Sequence, residues 1–145
     1  MQIKIKKLRD DAILPEYQTA EAAGFDFHVA INEPKTLQPG ERFAAPTGLA
    51  MDVPTGYVLN IHARSGMSLK HGITAANGVG VIDADYRGEI MVLLANISNK
   101  EFTVEPKMRI AQGVIVKHET AEWQKVDDLS ETSRGEGGFG STGKS

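Results

Sequence analysis

The chain has 145 residues, of which 41% are hydrophobic and 24% are charged, a composition that fits one soluble globular domain. Its 16 lysines and arginines against 19 aspartates and glutamates give a net charge of −3, which argues against a protein that binds a nucleic-acid polymer. The absence of cysteine excludes disulfides, thiolate catalysis and cysteine-ligated zinc. No apolar stretch is long enough for a signal peptide or a membrane span, so we expect a cytoplasmic location.

Most of the chain predicts short β-strands separated by turns rich in proline and glycine. Residues 56–63 and 88–96 contain the clearest strand patterns, and residues 65–70 predict one helical turn. No long amphipathic helix is predicted. Regular short strands of this kind indicate an all-β sandwich or barrel.

Two segments in the first half of the chain carry polar groups suited to a site. Asp26 lies between two aromatic residues in a predicted strand. Further along, a strand ends and Arg64, Ser65 and Gly66 follow at the start of the helical turn, where backbone amides and a hydroxyl could form an anion pocket. The alternative is that Ser65 simply caps the helix.

The segment 78–90 reads as an apolar strand, a polar turn and a second apolar strand, which predicts a hairpin. Asp83 stands at the end of the first strand, where partial desolvation would favour a general base that orients and deprotonates water. A turn after Asp83 would separate it from Asp85. The alternative is that both aspartates only cap backbone amides of the turn.

Three further features bear on the core and on metal binding. Residues 109–112 predict a strand with alternating polar side chains, or alternatively a strand edge that faces solvent. Trp123 is expected to pack at the edge of the core. The histidines lack the spacing of metal ligands, and we expect them to be surface or satisfied core residues; they are His28, His62, His71 and His118.

The C-terminal residues 134–145 hold five of the 15 glycines. Residues 138–145 match the Walker A pattern, but no helix can follow because the sequence stops there, so an ATPase of that class is rejected. Glycine amides, the hydroxyls of Ser141 and Thr142 and the guanidinium of Arg134 would nevertheless suit a polyphosphate, and Phe139 could stack on a base. The alternative is a disordered, low-complexity terminus.

Taken in order, residues 23–26, 64–66, 80–88, 109–112 and 134–143 resemble the five motifs of the trimeric deoxyuridine triphosphatases (dUTPases). The resemblance covers nearly the whole chain. It implies a β jelly roll over residues 1–129, with residues 130–145 as a flexible lid of the same domain. It also implies a homotrimer with shared active sites and Mg²⁺-dependent hydrolysis of dUTP to dUMP and pyrophosphate, which would limit uracil incorporation into DNA.

The resemblance further implies a role for each motif residue. Asp83 would activate the water that attacks the α-phosphorus, and Tyr86 would pack under the deoxyribose and exclude a 2′-hydroxyl. Asp26 would be architectural and paired with Arg109. Mg²⁺ would be held mainly by phosphates and water. Uracil would be read by Asn77, Gly80, Val81 and Met91. Phosphates would be held by Arg64, Ser65, Gly66 and Gln112, and the lid would close with Arg134, Phe139, Ser141 and Thr142.

Some positions depart from the family pattern. Ala63 replaces a proline, and residues 106–108 read Pro-Lys-Met in place of Pro-Gly-acidic, so that turn is expected to differ. Gly113 predicts a bulge in its strand. A dCTP deaminase of the same fold would need an acid or base such as Glu89, and a non-catalytic nucleotide-binding module would be expected to have lost Asp83 or the lid.

Overall fold

The computed structural model describes residues 1–139, and within them the chain forms twelve short β-strands and one short helix. This confirms the all-β prediction for the part of the chain that is described, and the predicted helical turn is present but extends to about two turns. The helix α1 is Ser65–His71. The strands are β1 Lys4–Lys7, β2 Glu16–Tyr17, β3 Phe25–His28, β4 Lys35–Leu37, β5 Arg42–Pro46, β6 Leu49–Asp52, β7 Tyr57–Ala63, β8 Ile73–Ala75, β9 Gly80–Ile82, β10 Met91–Asn96, β11 Phe102–Val104 and β12 Arg109–Lys117.

The largest sheet has five antiparallel strands in the order β2-β3-β12-β7-β9. Its longest strand, β12, lies at the centre and pairs with β3 on one side and with β7 on the other. A three-stranded sheet has the order β5-β10-β8, and two strand pairs, β1-β6 and β11-β4, complete the described architecture. The core side chains are almost all aliphatic or phenylalanine.

Gly113 lies in β12 opposite Phe25 and Ile61, and its strand is regular there. A Cβ at this position would come within 2.5 Å of Phe25 Cε2 and 2.7 Å of Phe27 Cε2. Glycine is therefore needed to leave room for the two rings, which pack edge to face with centroids 5.4 Å apart. The bulge predicted at Gly113 is wrong, because the register shift lies between Arg109 and Ala111.

The hairpin predicted over residues 78–90 is also wrong. Strand β9 pairs with β7 in the five-stranded sheet, whereas β10 pairs with β5 and β8 in the three-stranded sheet. Residues 83–90 therefore connect two sheets, and their loop is held by contacts other than a ladder between its own flanking strands.

The turn at residues 105–108 has a backbone conformation that glycine favours, although no glycine is present. The amide of Met108 donates to the carbonyl of Glu105 at 3.1 Å, and Lys107 has φ of 64°. Proline followed by a residue with positive φ is typical of a type II turn. Lys107 therefore occupies the turn position that glycine favours, where the backbone of a lysine is strained, and the expected difference from the family's turn stays a prediction.

Residues 118–139 form no helix or strand, and nearly all of them are exposed. The Trp123 side chain is 91% exposed, so the prediction that it packs at the edge of the core is wrong within a single chain. Among the described residues, no helix has the length and hydropathy needed to cross a bilayer.

Candidate active site

A buried carboxylate joins two arginines at one end of the five-stranded sheet. Asp26 on β3 is 1% exposed, and its Oδ2 accepts a hydrogen bond from Arg109 Nη1 at 3.1 Å. Arg64 Nε lies 3.4 Å from Asp26 Oδ1, an ionic contact without hydrogen-bond geometry. Arg64 Nη1 also donates to the carbonyl of Arg109 at 3.2 Å. The carboxylate thus orients two cations that come from separate segments of the chain.

A bulge in β12 determines which side chains share this site. Arg109 and Gln112 are three residues apart, so a regular strand would direct them to opposite faces. The register shift between Arg109 and Ala111 places Arg109 opposite His28 and Gln112 opposite Asp26. Both polar side chains therefore lie on the Asp26 face of the sheet, as bulges often achieve near functional sites.

The start of α1 differs from the prediction. Arg64 occupies the N-cap position and its side chain makes no capping hydrogen bond, so the interpretation of Ser65 as the N-cap is wrong. Ser65 and Gly66 are exposed in the first turn, where the serine hydroxyl is not used for capping. Buried Met67 fixes the helix to the core.

Asp83 directly follows β9 and begins a β-turn in which the amide of Tyr86 donates to its carbonyl at 3.1 Å. The turn separates Asp83 from Asp85, as predicted. Asp83 is exposed, however, because β9 is the edge strand of its sheet and Val81 beside it is 62% exposed. The partial desolvation expected for Asp83 is thus not provided by residues 1–139 of its own chain.

The loop after Asp83 is fixed by contacts to two other segments. The Tyr86 hydroxyl donates to the Glu89 carbonyl at 3.0 Å, and Glu89 Oε1 accepts the amide of Gly48 at 2.7 Å. Arg87 Nη2 donates to Asp52 Oδ1 at 2.6 Å. Tyr86 itself remains 43% exposed, so the loop presents its ring to solvent in a defined position.

The residues expected to read a base surround the turn between β8 and β9. Asn77 is exposed in a turn closed by the Gly78 amide, which donates to the Ala75 carbonyl at 3.0 Å, with Gly78 at φ of 73°. A Cβ on Gly80 would lie 3.1 Å from Ile61 Cβ, so that strand approaches β7 closely. The other two expected contacts are exposed Val81 and half-buried Met91.

The expected lid is described only in part. Arg134 and Phe139 are exposed, and Arg134 Nε donates to the Gly137 carbonyl at 2.7 Å. Ser141 and Thr142 lie outside the described residues. The sequence analysis did not predict that Gly88 contacts Tyr86 or that the Glu89 side chain anchors the loop to Gly48. The glycine two residues after the tyrosine could have indicated the first of these contacts.

His28 is not the satisfied histidine that was expected. Its Nδ1 is buried without a hydrogen-bond partner among the described residues, and it faces Arg109 across the sheet. Burial lowers the pKa of His28 below its usual value, an effect that Asp26 opposes. Within residues 1–139, no group of three His, Cys, Asp or Glu side chains is placed to hold a metal ion.

The strand register separates the two halves of the candidate site. In the β7-β9 pair, Ile82 lies opposite Leu59, so Asp83 follows at that end of β7. Arg64 follows the other end of β7, five residues beyond Leu59. Continuing the register places Asp83 level with Val58, six residues before Arg64, so at about 3.3 Å per residue the two lie roughly 20 Å apart along the strand. Asp83 and the arginine cluster are therefore not brought together by this part of one chain.

Comparison with known proteins identifies the arrangement. A family model described as dUTPase matches residues 10–143. The deoxyuridine 5'-triphosphate nucleotidohydrolase of Nautilia profundicola is 54% identical over 99% of this chain and 100% of its own length, and that of Rickettsia felis is 50% identical over 98% and 97%. The Staphylococcus bacteriophage 80alpha dUTPase, solved with dUpNHpp, superposes with a TM-score of 0.89 at 30% identity over 99% of both chains. The strands described above form the jelly roll of these structures, and the chain belongs to the dUTPase family.

Proposed function

We propose that the chain hydrolyses dUTP to dUMP and pyrophosphate with Mg²⁺, in active sites shared between the subunits of a homotrimer. Relatives with this activity in their names align with almost the whole length of the chain at 50–54% identity. The observation that carries the proposal is the separation of Asp83 from the Arg64–Asp26–Arg109 cluster by the length of β7. In-line attack needs the nucleophile about 3 Å from phosphorus with the phosphates held alongside. A second copy that supplies the other half would meet that need.

Asp83 is proposed as the base. It orients a water toward the α-phosphorus, accepts its proton as the oxygen–phosphorus bond forms, and pyrophosphate leaves from the opposite side. Exposure of Asp83 within residues 1–139 supports a role at an interface, because packing of a neighbouring subunit would supply the desolvation that these residues do not.

The arginine cluster is proposed to bind the phosphates. Asp26 holds Arg64 and Arg109 on one face, and exposed Ser65 and half-buried Gln112 border the same end of the sheet. Fixed cations of this kind neutralise charge that develops on the phosphates without reorganising during reaction. Arg134 and Phe139 would close over the bound nucleotide, together with the glycine-rich terminus.

The base and sugar are proposed to lie against the segment from Asn77 to Met91. Uracil would be read largely by backbone groups near Gly80 and Val81, since buried polar groups left unpaired by another base would lower its affinity. Tyr86 would lie under the deoxyribose and exclude the 2′-hydroxyl of a ribonucleotide.

The residues present fit a magnesium ion that is held by substrate. Mg²⁺ keeps several waters and commonly binds substrate phosphates with few protein ligands. A site with several hydrogen-bond donors for phosphate and with exposed carboxylates is therefore compatible with it. When bound, the ion would neutralise phosphate charge and favour departure of pyrophosphate. The chain's own residues orient the phosphates, the water and the nucleoside around it.

Deamination of dCTP is the alternative activity on this fold, with Glu89 as its acid or base. One carboxylate oxygen of Glu89 is engaged by the Gly48 amide at 2.7 Å, which favours an anchoring role for this side chain. The substrate panel is therefore dUTP, dCTP, dTTP and UTP with Mg²⁺, followed by pyrophosphate and ammonia release. Pyrophosphate from dUTP alone supports the proposal, ammonia from dCTP would support deamination, and binding without turnover would indicate a non-catalytic module.

Asp83→Asn tests the base, with Asp85→Asn in the same turn as its matched control. We expect Asp83→Asn to bind nucleotide but lose at least about 100-fold in kcat, as is typical of a general base, and Asp85→Asn to retain most turnover.

Truncation before Arg134 tests the proposed lid. It should spare assembly and strongly reduce catalysis. Full turnover in Asp83→Asn, or in the truncated chain, would contradict the corresponding role.

Mixed assemblies test the shared site. Asp83→Asn and Arg64→Ala chains, each inactive alone, are unfolded together, refolded as an equal mixture and assayed. If one site takes Asp83 and Arg64 from different subunits, random mixing restores about a quarter of wild-type sites. If both residues come from the same chain, the mixture stays inactive.

A further inference from the structure

We infer that Gly88 is a positioning residue that sets the preference for deoxyribose over ribose, an inference that rests on the proposed role of Tyr86. A Cβ built on Gly88 would lie closest to the Tyr86 hydroxyl oxygen, 2.6 Å from Cζ and 3.0 Å from Cε2. Real Cβ atoms essentially never approach so closely, so any other residue at 88 must displace the ring. The hydroxyl end of the tyrosine therefore lies directly against the glycine backbone.

Contact, and not backbone conformation, makes glycine necessary here. The φ of Gly88 lies outside the left-handed region, so alanine could adopt its backbone without strain. This distinguishes Gly88 from Gly40, where φ is 81° and no atom lies within 4 Å of a built Cβ. A side chain at 88 acts on Tyr86, whereas a side chain at 40 strains only its own turn.

The ring has little freedom to retreat without losing its partner. Its hydroxyl donates to the Glu89 carbonyl, and Glu89 is itself anchored through its side chain to the Gly48 amide. The next residue, Ile90, is fully buried; its amide donates to the Leu49 carbonyl at 2.8 Å and its carbonyl accepts from the Thr47 hydroxyl at 2.7 Å. The acceptor is thus fixed to the core, and the glycine allows the tyrosine to reach it.

The hydroxyl end of the Tyr86 ring lies against Gly88, while 43% of the residue remains exposed. A methyl group at 88 would displace the hydroxyl end of the ring and so change the position of the whole exposed side chain. The ring would then no longer lie where it can admit deoxyribose and reject ribose. Gly88 thereby controls sugar discrimination without touching the nucleotide.

The test is a double-mutant cycle on the ratio of kcat/KM for dUTP to kcat/KM for UTP, each measured with Mg²⁺. Tyr86→Ala and Gly88→Ala should each lower the ratio by about 10-fold or more, a size typical of a steric pocket contact. In the Tyr86→Ala background, Gly88→Ala should have no further effect, because the atoms it displaces are gone. Gly40→Ala, which strains a distant turn, should leave the ratio unchanged.

Each outcome decides between the parts of the inference. An unaltered ratio in Tyr86→Ala rejects the proposed gate itself. A changed ratio in Tyr86→Ala but not in Gly88→Ala rejects the inference about Gly88 alone, as does an equal loss for both nucleotides or an additive double variant. Should Gly88→Ala not fold, the double variant is expected to fold, and its failure to do so would equally refute the role assigned to the ring contact.

Discussion

Replacement of Asp26 by asparagine tests whether burial of the carboxylate between the two arginines determines how much it contributes to the free energy of unfolding. The side chain of Asp26 is 2% exposed and contacts Arg109 at 3.1 Å and Arg64 at 3.4 Å. Asparagine keeps the size and shape of the side chain but removes its charge. Two guanidinium groups would then share a neutral amide, and each would lose its main attraction to the sheet.

The expected cost follows from the two contacts. A hydrogen bond to a charged group contributes about 1.5–3 kcal/mol, and the Arg109 contact is of this kind. Breaking a fully buried ion pair costs about 3–5 kcal/mol, but Arg64 and Arg109 are 27% and 43% exposed, so water solvates part of the charge left behind. We therefore expect Asp26→Asn to lower the free energy of unfolding by about 2–3 kcal/mol.

Asp52 provides a matched control, since it also lies between two cations, Arg87 at 2.6 Å and Lys4 at 3.8 Å, but is 41% exposed. Asp52→Asn should cost at most about 1 kcal/mol. Urea unfolding at one fixed protein concentration compares the two variants, because assembly makes stability concentration-dependent. Equal losses in both would refute the reasoning that burial of Asp26 decides the difference.

Three further substitutions test local features of the fold. Lys107→Gly should raise the free energy of unfolding by about 0.5–1 kcal/mol, since it relieves the positive φ, and a lower melting temperature would contradict this. Gly113→Ala should lower it by about 1–3 kcal/mol through overlap with Phe25 and Phe27, which a crystal structure with unmoved rings would disprove. Because burial lowers the pKa of His28, the folded state resists protonation, so stability should be full above the ordinary value of 6.5 and fall at lower pH. In urea unfolding experiments at several pH values, the free energy of unfolding of His28→Gln should fall less at low pH than that of the wild type. Identical pH profiles would exclude His28 as a cause of the loss of stability.

Local sequence patterns predicted where strands and the helix occur better than they predicted which strands pair with each other. Strand β7 and helix α1 were predicted because their residue types and flanking turns are local properties. The hairpin after β9 was predicted wrongly because alternation defines a strand but not the strand it pairs with, and β9 pairs with a segment about 20 residues earlier in the chain. Trp123 was expected in the core from its hydrophobicity, which says nothing about whether its own chain reaches back to cover it.

The candidate site likewise contains contacts that the sequence predicted and contacts that it did not. The pairing of Asp26 with Arg109 was expected through the family resemblance, but the contact of Asp26 with Arg64 was not, since no spacing in the sequence indicates it. The bulge that turns Arg109 onto the face of Gln112 was expected at Gly113, the residue with the obvious signal. It lies around Ile110 because Gly113 is required to accommodate two phenylalanine rings in a regular part of the strand.

The central position of β12 has a consequence for how this protein moves and how it could be redesigned. Amide hydrogens of a strand paired on both sides exchange only when much of the sheet opens, so those around Gln112 should be among the slowest to exchange. Amides around Tyr86 belong to a connection between sheets and should exchange sooner. The groups proposed to bind phosphate are thus built on the most persistent part of the scaffold, and those proposed to contact the sugar lie on a loop between sheets, which makes that loop the place to engineer a different nucleotide preference.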